Sequence, residues 1–413
     1  NVYAEIENGP FKDANEARFL NIGLKARHKW LKIFDQLKIT KKVITAKDTI
    51  VFLKKNASSF ENYNYNNMKE AALADKKAHL LAKNKVKQFF PNTYNKIQEA
   101  TLLKDEFAIC TVALFNHLDK IKKKYGIISV NSHVKKIKTL SNNKIRIDLQ
   151  NENKSLVVNN IIVTAGSNSE SIFDKKLKLI PMLQGVGSAI ILNDINDLPN
   201  SFQNYVVRTV NRGGAQCGLH TVPRSNGTLY LGAGNYISRP GIRAHRLETI
   251  RYLYELFSDE LVGKKIAYPL YGNLSLGYRP RTMDGFPCIG NHQIYQNIFF
   301  ATGTNRVGLT WAPEIVNQAL KWLDGKKISN DFEGWHPDRD MISYGNDKKC
   351  IDYFVNSRLS AGLEHNNFSE NQTNKIKKEL TNIANNQIKK IKKLYPGIII
   401  NPDNWQIILN NES

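Results

Sequence analysis

The chain has 413 residues, a formal net charge of +22 and 41% hydrophobic residues. This length exceeds one ordinary domain, so we expect either two interleaved domains or one large α/β domain with an appendage. The charge keeps nucleic acid open as a partner. However, the lysines are spread along the whole chain and form no basic block interleaved with aromatic residues, so nucleic-acid binding is the weaker interpretation.

The four cysteines are far apart and form no C-x-x-C pair. They indicate neither a disulfide framework nor a zinc site, and we predict no metal site. The N-terminal residues lack the apolar stretch of a signal peptide, and no apolar run is long enough to cross a bilayer. We therefore expect a soluble, cytoplasmic protein.

The first half of the chain alternates helical and strand-like patterns. Residues 2–6 form a short apolar run stopped by Asn8-Gly9-Pro10, which predicts a buried parallel strand. Helical patterns follow at residues 13–37, 68–90 and 107–124, and strand patterns lie at residues 50–53, 127–130, 133–139, 145–149, 155–158 and 161–164.

The middle of the chain, residues 182–236, alternates β-branched runs with Gly and Pro, which predicts an antiparallel sheet. A helix is predicted at residues 246–257, a strand at 298–301 and a helix opening at 310–313. After Gly325 the chain is rich in Asn and Lys and contains an amphipathic helix at residues 374–394. We expect this extension to pack on the rest of the protein, and the alternative is a helix that binds a partner.

Residues 278–313 carry the strongest site pattern. Gly303 and Gly308 flank Asn305 and Arg306 where a strand gives way to a helix. Such a turn exposes backbone N–H groups beside the positive end of a helix dipole, where a polar or anionic ring edge can dock. The pattern therefore predicts a ligand-binding turn.

Arg279 and Arg306 are the candidate anion receptors of this stretch. If both guanidinium groups point into one cavity, they form a receptor for a carboxylate. The alternative is that each pairs with a nearby acid such as Asp284 or Glu314. The sequence alone leaves both arrangements open.

Other motifs carry less chemistry. The phosphate loop G-x-G-x-x-G is absent from the sequence, and neither Gly185-Val-Gly187 nor Gly232-Ala-Gly234 completes it. Glu5 could accept hydrogen bonds from a ribose diol or be an ordinary surface carboxylate. Gly166 could admit a cofactor or simply make a turn. No Ser/His/Asp order, H-E-x-x-H or carboxylate pair indicates a hydrolase.

Two strings resemble the C-terminal signature of the D-amino-acid-oxidase-like flavoproteins, and glycine oxidase and its relatives most of all. The strings are G-Y-R-P-R-T-M-D-G-F-P-C-I-G at residues 277–290 and F-A-T-G-T-N-R-V-G-L-T-W-A-P at residues 300–313. Shorter segments at residues 161–166, 222–224 and 231–233 agree in order with the same family. The resemblance spans about residue 1 to residue 340.

The resemblance implies a mixed α/β fold with two interleaved domains. A Rossmann-like FAD-binding domain, without its first βα unit, would comprise residues 1–43, 104–181 and 286–325. An antiparallel-sheet substrate-binding domain would comprise residues 44–103 and 182–285. Residues 326–413 would form a helical C-terminal extension.

The implied chemistry is oxidation of an amino acid or another carboxylate-bearing amine. Hydride would pass from the α-carbon to flavin N5, water would hydrolyse the imine, and O₂ or an electron carrier would reoxidise the flavin. By resemblance Arg279 holds the substrate carboxylate, with Arg306 near the same group. His220 and Asn235 stand where glycine oxidases place a Tyr and a Met, which argues against glycine as the substrate.

The resemblance also assigns residues to FAD. Glu5 corresponds to the ribose-binding acid and Val134 to a backbone contact with adenine, while the glycine-rich turn lines the pyrimidine edge of the flavin. The full set of implied cofactor residues is Glu5, Val134, Ala165, Gly166, Gly303, Thr304, Arg306, Val307, Gly308, Leu309 and Thr310.

Relative to the family, the chain begins at the second Rossmann strand, so the phosphate loop is missing. We favour a truncated piece of a longer protein, and the alternatives are a loop from another polypeptide or loss of FAD binding. Two other functions stay open. One is a tRNA-modifying FAD oxidoreductase acting on a carboxymethylaminomethyl-type uridine, which the basic charge favours. The other is a non-catalytic homologue serving as a subunit of a homo- or hetero-oligomer.

Overall fold

The computed structural model describes residues 2–7, 14–150, 155–174, 177–193, 195–212, 217–263, 272–364 and 367–410. Its helices are α1 (Ala14–Gln36), α2 (Thr40–Val43), α3 (Ser59–Ala74), α4 (Lys83–Phe89), α5 (Thr111–Lys124), α6 (Asn200–Asn204), α7 (Leu247–Leu256), α8 (Gly308–Leu323), α9 (Asp347–Glu364), α10 (Thr373–Leu394) and α11 (Trp405–Leu409). Its strands are β1 (Ile44–Ala46), β2 (Thr49–Lys54), β3 (Ala78–Leu80), β4 (Ile97–Leu103), β5 (Ala108–Ile109), β6 (Val134–Thr139), β7 (Ile145–Leu149), β8 (Ser155–Val158), β9 (Ile161–Val163), β10 (Met182–Leu192), β11 (Val206–Arg208), β12 (His220–Pro223), β13 (Leu229–Ser238), β14 (Gly272–Thr282), β15 (Cys288–Asn291) and β16 (Ile298–Thr302).

The mixed α/β class is confirmed. In the described part of the chain, the largest sheet has eight strands in the order β14-β10-β13-β12-β11-β2-β4-β3. Its neighbouring strands are antiparallel except for the parallel pair β11–β2. The antiparallel sheet predicted for residues 182–236 is therefore present, and strands from the first hundred residues extend it.

A smaller sheet positions the glycine-rich turn. It has the order β15-β16-β9, and β16 runs parallel to β9. After β16 the chain turns into α8, whose Trp311 and Ile315 pack with Phe299 of the strand in one buried core. The meander β6-β7-β8 covers the other side of this sheet, where Ile137 and Phe300 share a second core. The turn thus lies at the carboxyl end of a buried strand.

The predicted first strand is wrong. Tyr3–Ile6 forms a 3-10 helix, and the Asn8-Gly9-Pro10 turn lies outside the described residues. A strand needs a hydrogen-bonded neighbour, whereas here Tyr3 is buried and donates its hydroxyl to the Asp75 carboxylate at 2.6 Å. Side-chain contacts with the body of the protein therefore hold this segment in place of sheet pairing.

The polar stretch at residues 68–90 is also more varied than predicted. Instead of one or two surface helices, it contains the end of α3, the strand β3 and the helix α4. His79 and Leu80 of β3 pair with Leu102 and Thr101 of β4, so pairing to a buried strand overrides the local polarity.

The C-terminal extension packs on the rest of the protein, as expected. Phe354 of α9, Ile388 of α10 and Trp405 of α11 share a core that Met283, next to β14, also touches. None of the helices among the described residues is both long and apolar enough to span a membrane.

Candidate active site

The turn after β16 requires its glycines. Gly303 has φ +68°, and a Cβ there would lie 2.8 Å from the Thr282 side chain and 2.9 Å from the Cys288 backbone nitrogen. A Cβ on Gly308 would lie 2.6 Å from Thr304 Oγ1. Gly303 therefore combines a tight approach with a left-handed backbone that larger residues oppose, whereas Gly308 is favoured by the tight approach alone.

Gly166 meets this turn. Its carbonyl accepts a hydrogen bond from Thr302 Oγ1 at 2.9 Å, and Ala165 immediately precedes it. The two segments follow the parallel strands β9 and β16, so they lie at the carboxyl end of the sheet, where open α/β sheets bind ligands. The structure therefore brings the predicted residues Ala165, Gly166 and Gly303 together.

The start of α8 offers backbone donors at the same place. Val307 N–H bonds the Thr304 carbonyl at 3.0 Å, and α8 begins at the next residue. The first N–H groups of a helix, here including those of Gly308 and Thr310, have no carbonyl partner within the helix. Leu309 is more peripheral, since its side chain is 40% exposed and its carbonyl accepts from Trp30 Nε1 at 2.9 Å. The opening turn is thus a cluster of donors at a positive dipole end.

Arg279 lies on β14 and reaches across the neighbouring strand β10. Its Nη1 donates to Asn235 Oδ1 of β13 at 2.9 Å. It passes over Gly187, where a Cβ would lie 2.4 Å from that nitrogen. The Gly185-Val-Gly187 pair therefore makes room for the guanidinium group. Among the described residues no carboxylate pairs with Arg279, so its charge faces neutral groups.

His220 lies beside this arginine. Its ring stacks on Tyr230 with centroids 5.9 Å apart, and Nδ1 lies 3.2 Å from the Gly218 carbonyl. Burial lowers the pKa of His220 to about 4, and the nearby guanidinium groups, Arg279 first, also lower it. The imidazole is therefore neutral at pH 7, with Nδ1–H donating to the carbonyl and the lone pair on Nε2.

Tyr230 is a site residue that the sequence reasoning missed. It is partly buried, burial raises its pKa, and the Arg279 charge lies close enough to oppose that rise. A Cβ on Gly232 would lie 2.5 Å from the Tyr230 ring and 3.0 Å from His220 Nε2. The signal was present as the Gly232-Ala-Gly234 pair, whose glycines make space within a strand.

Arg306 connects the turn to this pocket. Its Nη1 lies 3.6 Å from Cys217 Sγ, and its Nη2 donates to the Ala4 carbonyl at 3.0 Å. Next to it, Asn305 N–H bonds the Pro280 carbonyl at 2.6 Å, which ties the turn to the residue after Arg279. The two predicted arginines thus lie on directly joined segments.

The acids proposed as alternative partners of these arginines bind other residues. Asp284 pairs with Arg339 at 2.9 Å, and Glu314 pairs with Lys29 at 2.9 Å. Pairing of Arg279 or Arg306 with either acid is therefore wrong.

Glu5 and Val134, the residues assigned to the ribose and adenine of FAD, have no described contact with the turn. The Glu5 backbone belongs to the 3-10 helix Tyr3–Ile6, so the expected strand end is absent there, and its side chain lies outside the described residues. Val134 opens β6 opposite Leu149 and is 37% exposed. No described contact joins Val134 to the turn, so both assignments stay predictions.

A cleft lies against the turn and encloses about 830 Å³ of space, part of it open solvent. Residues 303–307 line it, together with residues 284–287 and the start of α1. Trp311 also lines it and is fully buried, and its indole N–H has no hydrogen-bond partner among the described residues. An orphaned buried donor costs free energy unless a ligand accepts from it, so the cleft has the character of a binding site.

The model of the DAO family, described as FAD dependent oxidoreductase, matches residues 4–315. This chain belongs to that family. FAD is the cofactor of the family, and the protein is an oxidoreductase. No curated protein matches the sequence.

Solved structures of this fold are similar to this chain at low sequence identity. Glycine oxidase from Geobacillus kaustophilus has a TM-score of 0.64 and 16% identity, over 78% of this chain and 84% of that one. Iminodiacetate oxidase from Chelativorans sp. BNC1 has a TM-score of 0.63 and 15% identity, over 80% and 86%. L-α-glycerophosphate oxidase from Mycoplasma pneumoniae, solved with FAD bound, has a TM-score of 0.60 and 17% identity, over 78% and 84%. These likenesses confirm the fold.

The residues at the carboxyl end of the sheet fit FAD. A flavin ring has a polar edge that needs hydrogen-bond donors. Residues 303–307 of the turn line the cleft, and α8, whose first N–H groups have no partner within the helix, begins at the next residue. Gly303 and Gly308 allow close approach to the backbone. The residues of this chain that would hold the cofactor are therefore those of the turn, with Gly166 beside them.

Proposed function

We propose that this protein oxidises an amino acid or another carboxylate-bearing amine. The observation that carries the proposal is Arg279, a cation that contacts a neutral amide and has no carboxylate partner among the described residues. A guanidinium group in this setting binds an incoming carboxylate through charge-assisted hydrogen bonds. FAD, when bound, accepts the hydride from the α-carbon, and water then hydrolyses the imine.

Arg279 would hold the carboxylate, with Arg306 adding positive charge from the adjoining turn. Together they would fix the α-carbon in one orientation, and orientation is the main contribution such a site makes to the rate. Asn235 accepts from Arg279 Nη1 and thereby fixes the direction of the guanidinium plane.

His220 would act on the amine. An ammonium group must lose one proton before hydride can leave the α-carbon. The neutral imidazole has its lone pair on Nε2, because Nδ1–H faces the Gly218 carbonyl. Because the pKa of His220 is lowered to about 4, that proton would pass to water, and Nε2 would accept a hydrogen bond from the neutral amine. Tyr230 stacked on the ring restricts how the imidazole turns.

The test is anaerobic reduction of the FAD-loaded protein by candidate substrates. Reduction is measured as the loss of flavin absorbance. Glycine, L-proline and iminodiacetate would be compared with L-α-glycerophosphate, because the neighbours of this fold differ in the substrates that their names give. We expect at least one amino carboxylate to reduce the flavin. Reduction by glycerophosphate alone would overturn the proposal.

The role of Arg279 is tested with the same assay. Arg279→Met should raise the concentration of amino carboxylate needed for half-maximal reduction. The matched control is Arg251→Met, since Arg251 is exposed on α7 and pairs only loosely with Glu255 at 3.7 Å. Equal behaviour of the two variants would mean that the carboxylate is held elsewhere.

A further inference from the structure

The C-terminal extension forms one wall of the cleft beside the turn. Tyr344, Lys349, Tyr353 and Asn401 line the cleft together with residues 303–307. The family match ends at residue 315, so these four residues lie outside the segment that the family shares. The part of the chain with no assigned role is therefore in contact with the space where the cofactor belongs.

Buried ion pairs fix this wall to the opposite side of the cleft. Arg339 donates to both carboxylate oxygens of Asp284, at 2.9 and 3.0 Å. Arg281 pairs with Asp403 at 3.2 Å, and all four side chains of these two pairs are nearly inaccessible to solvent. Asp284 and Arg281 line the cleft themselves. The extension is thus locked to the cleft rather than loosely attached beside it.

The wall has a distinct chemistry. Tyr344 and Tyr353 meet edge to face with ring centroids 5.7 Å apart, and Lys349 Nζ lies 5.6 Å from the Tyr344 centroid. Phe19 and Trp311 line the same cleft, and the Trp311 indole N–H is a buried donor that has no partner in the described part of the chain. Aromatic surfaces with a cation and a buried donor suit a flat heteroaromatic group that carries polar or anionic edges.

We propose that the C-terminal extension is part of the FAD site, with Lys349 as its cation and the Tyr344–Tyr353 pair as its apolar wall. Three basic residues (Arg281, Arg306 and Lys349) and two acidic residues (Glu16 and Asp284) line the cleft, so its small positive excess favours a ligand that is anionic overall, as FAD is. This inference rests on the cofactor of the family and is independent of which substrate is oxidised.

The experiment is titration of the apo-protein with FAD. Binding is measured as the quenching of flavin fluorescence. Lys349→Met should weaken FAD binding about ten-fold or more, the scale of one lost charge-assisted interaction. Lys349→Arg should keep most of the affinity because it keeps the charge. Lys348→Met is the matched control, since Lys348 is the preceding residue on α9 and is exposed.

Thermal unfolding of each apo-variant checks that the fold is intact before titration. Equal FAD affinity for Lys349→Met, Lys348→Met and the unchanged protein would overturn the inference. Tyr344→Leu gives a second readout, because loss of the aromatic wall should alter the visible absorption bands of bound FAD. An unchanged spectrum would remove the tyrosine pair from the site. No substrate enters these measurements, so their failure is distinct from failure of the proposed amine oxidation.

Discussion

Two arginines on the same strand have different kinds of partner. Arg279 and Arg281 are two residues apart on β14, so they share a face of the sheet. Arg279 is half-buried and contacts the neutral Asn235 amide, whereas Arg281 is 2% exposed and pairs with Asp403 of the extension. The region around Arg279, which we propose as the substrate pocket, leaves this cation without a carboxylate partner among the described residues, whereas the extension interface neutralises Arg281.

This difference separates binding from stability. A buried ion pair contributes little net free energy, but removing one partner leaves a charge without water or a counter-ion. A half-buried arginine on a neutral acceptor loses much less when it is replaced. Substitutions in the extension interface should therefore act on folding, and substitutions in the pocket should act on ligand affinity.

The largest effect is expected from Asp284→Ala. Asp284 is fully buried, accepts from Arg339 twice, and also accepts from the backbone N–H groups of Phe286 and Ile342. Its loss should lower the free energy of unfolding by about 3–5 kcal/mol, because Arg339 remains buried and unpaired. Denaturant unfolding measures this change.

The matched control for that variant is Asp340→Ala. The Asp340 side chain is 92% exposed and pairs with Lys178 at 2.7 Å. Solvent screens exposed pairs strongly, so this variant should be nearly neutral. Similar losses for Asp284→Ala and Asp340→Ala would contradict the assignment of the buried pair as a lock between the extension and the cleft.

The second prediction is the converse, at Arg279. Arg279→Met should weaken binding of a carboxylate inhibitor or substrate by about 1.5–3 kcal/mol, which corresponds to about 10- to 150-fold. Its free energy of unfolding should change by less than about 1 kcal/mol, since its partner is a half-buried amide. Calorimetric titration measures the change in carboxylate affinity, and denaturant unfolding measures the change in stability. A stability loss as large as that of Asp284→Ala would mean that Arg279 is structural.

The third prediction concerns pH and His220. Burial lowers the pKa of His220 to about 4 from its ordinary value of 6.5, so the unfolded chain takes up the proton first as pH falls. The contribution of neutral His220 to the free energy of unfolding should therefore be fully present above pH 6.5. It should be lost between pH 6.5 and 4, a decline of about 1–2 kcal/mol after allowance for partial solvent contact.

The variant His220→Phe should lose this decline, which unfolding curves recorded across the same pH range detect. The pKa of His292 is also lowered by burial, but His292 is present in both proteins and its contribution cancels in the difference. Parallel curves for the two proteins would show that His220 is not buried as a neutral group.

Local patterns predicted the turn well. Gly303 and Gly308 are required by contacts within or next to the turn itself, and Pro280 follows Arg279 directly. Residues that are close in sequence therefore sufficed to predict the turn. The strands β6, β7, β8 and β16 and the helices α1, α7, α8 and α10 were likewise predicted from local patterns. The strand predicted at residues 127–130 was wrong, since those residues form no strand.

Contacts between distant segments could not be predicted. Tyr230 joins the pocket through the register of β12 with β13, and Arg281 meets Asp403 across 122 residues of sequence. No single-sequence pattern specifies such pairs. The 3-10 helix Tyr3–Ile6 fails for a related reason, since an apolar run becomes a strand only where a partner strand is available.

The smallest expected effect tests the pocket alone, at Gly187. A Cβ there would lie 2.4 Å from Arg279 Nη1, so Gly187→Ala should displace the guanidinium group and weaken carboxylate binding by about 1 kcal/mol, roughly five-fold. Gly277→Ala is the matched control, because Gly277 pairs with Gly187 in the sheet register and an added Cβ there meets no atom within 4 Å. Both changes cost similar strand geometry, but only Gly187→Ala touches Arg279. Equal affinities for the two variants would show that the position of the guanidinium over Gly187 does not set carboxylate binding.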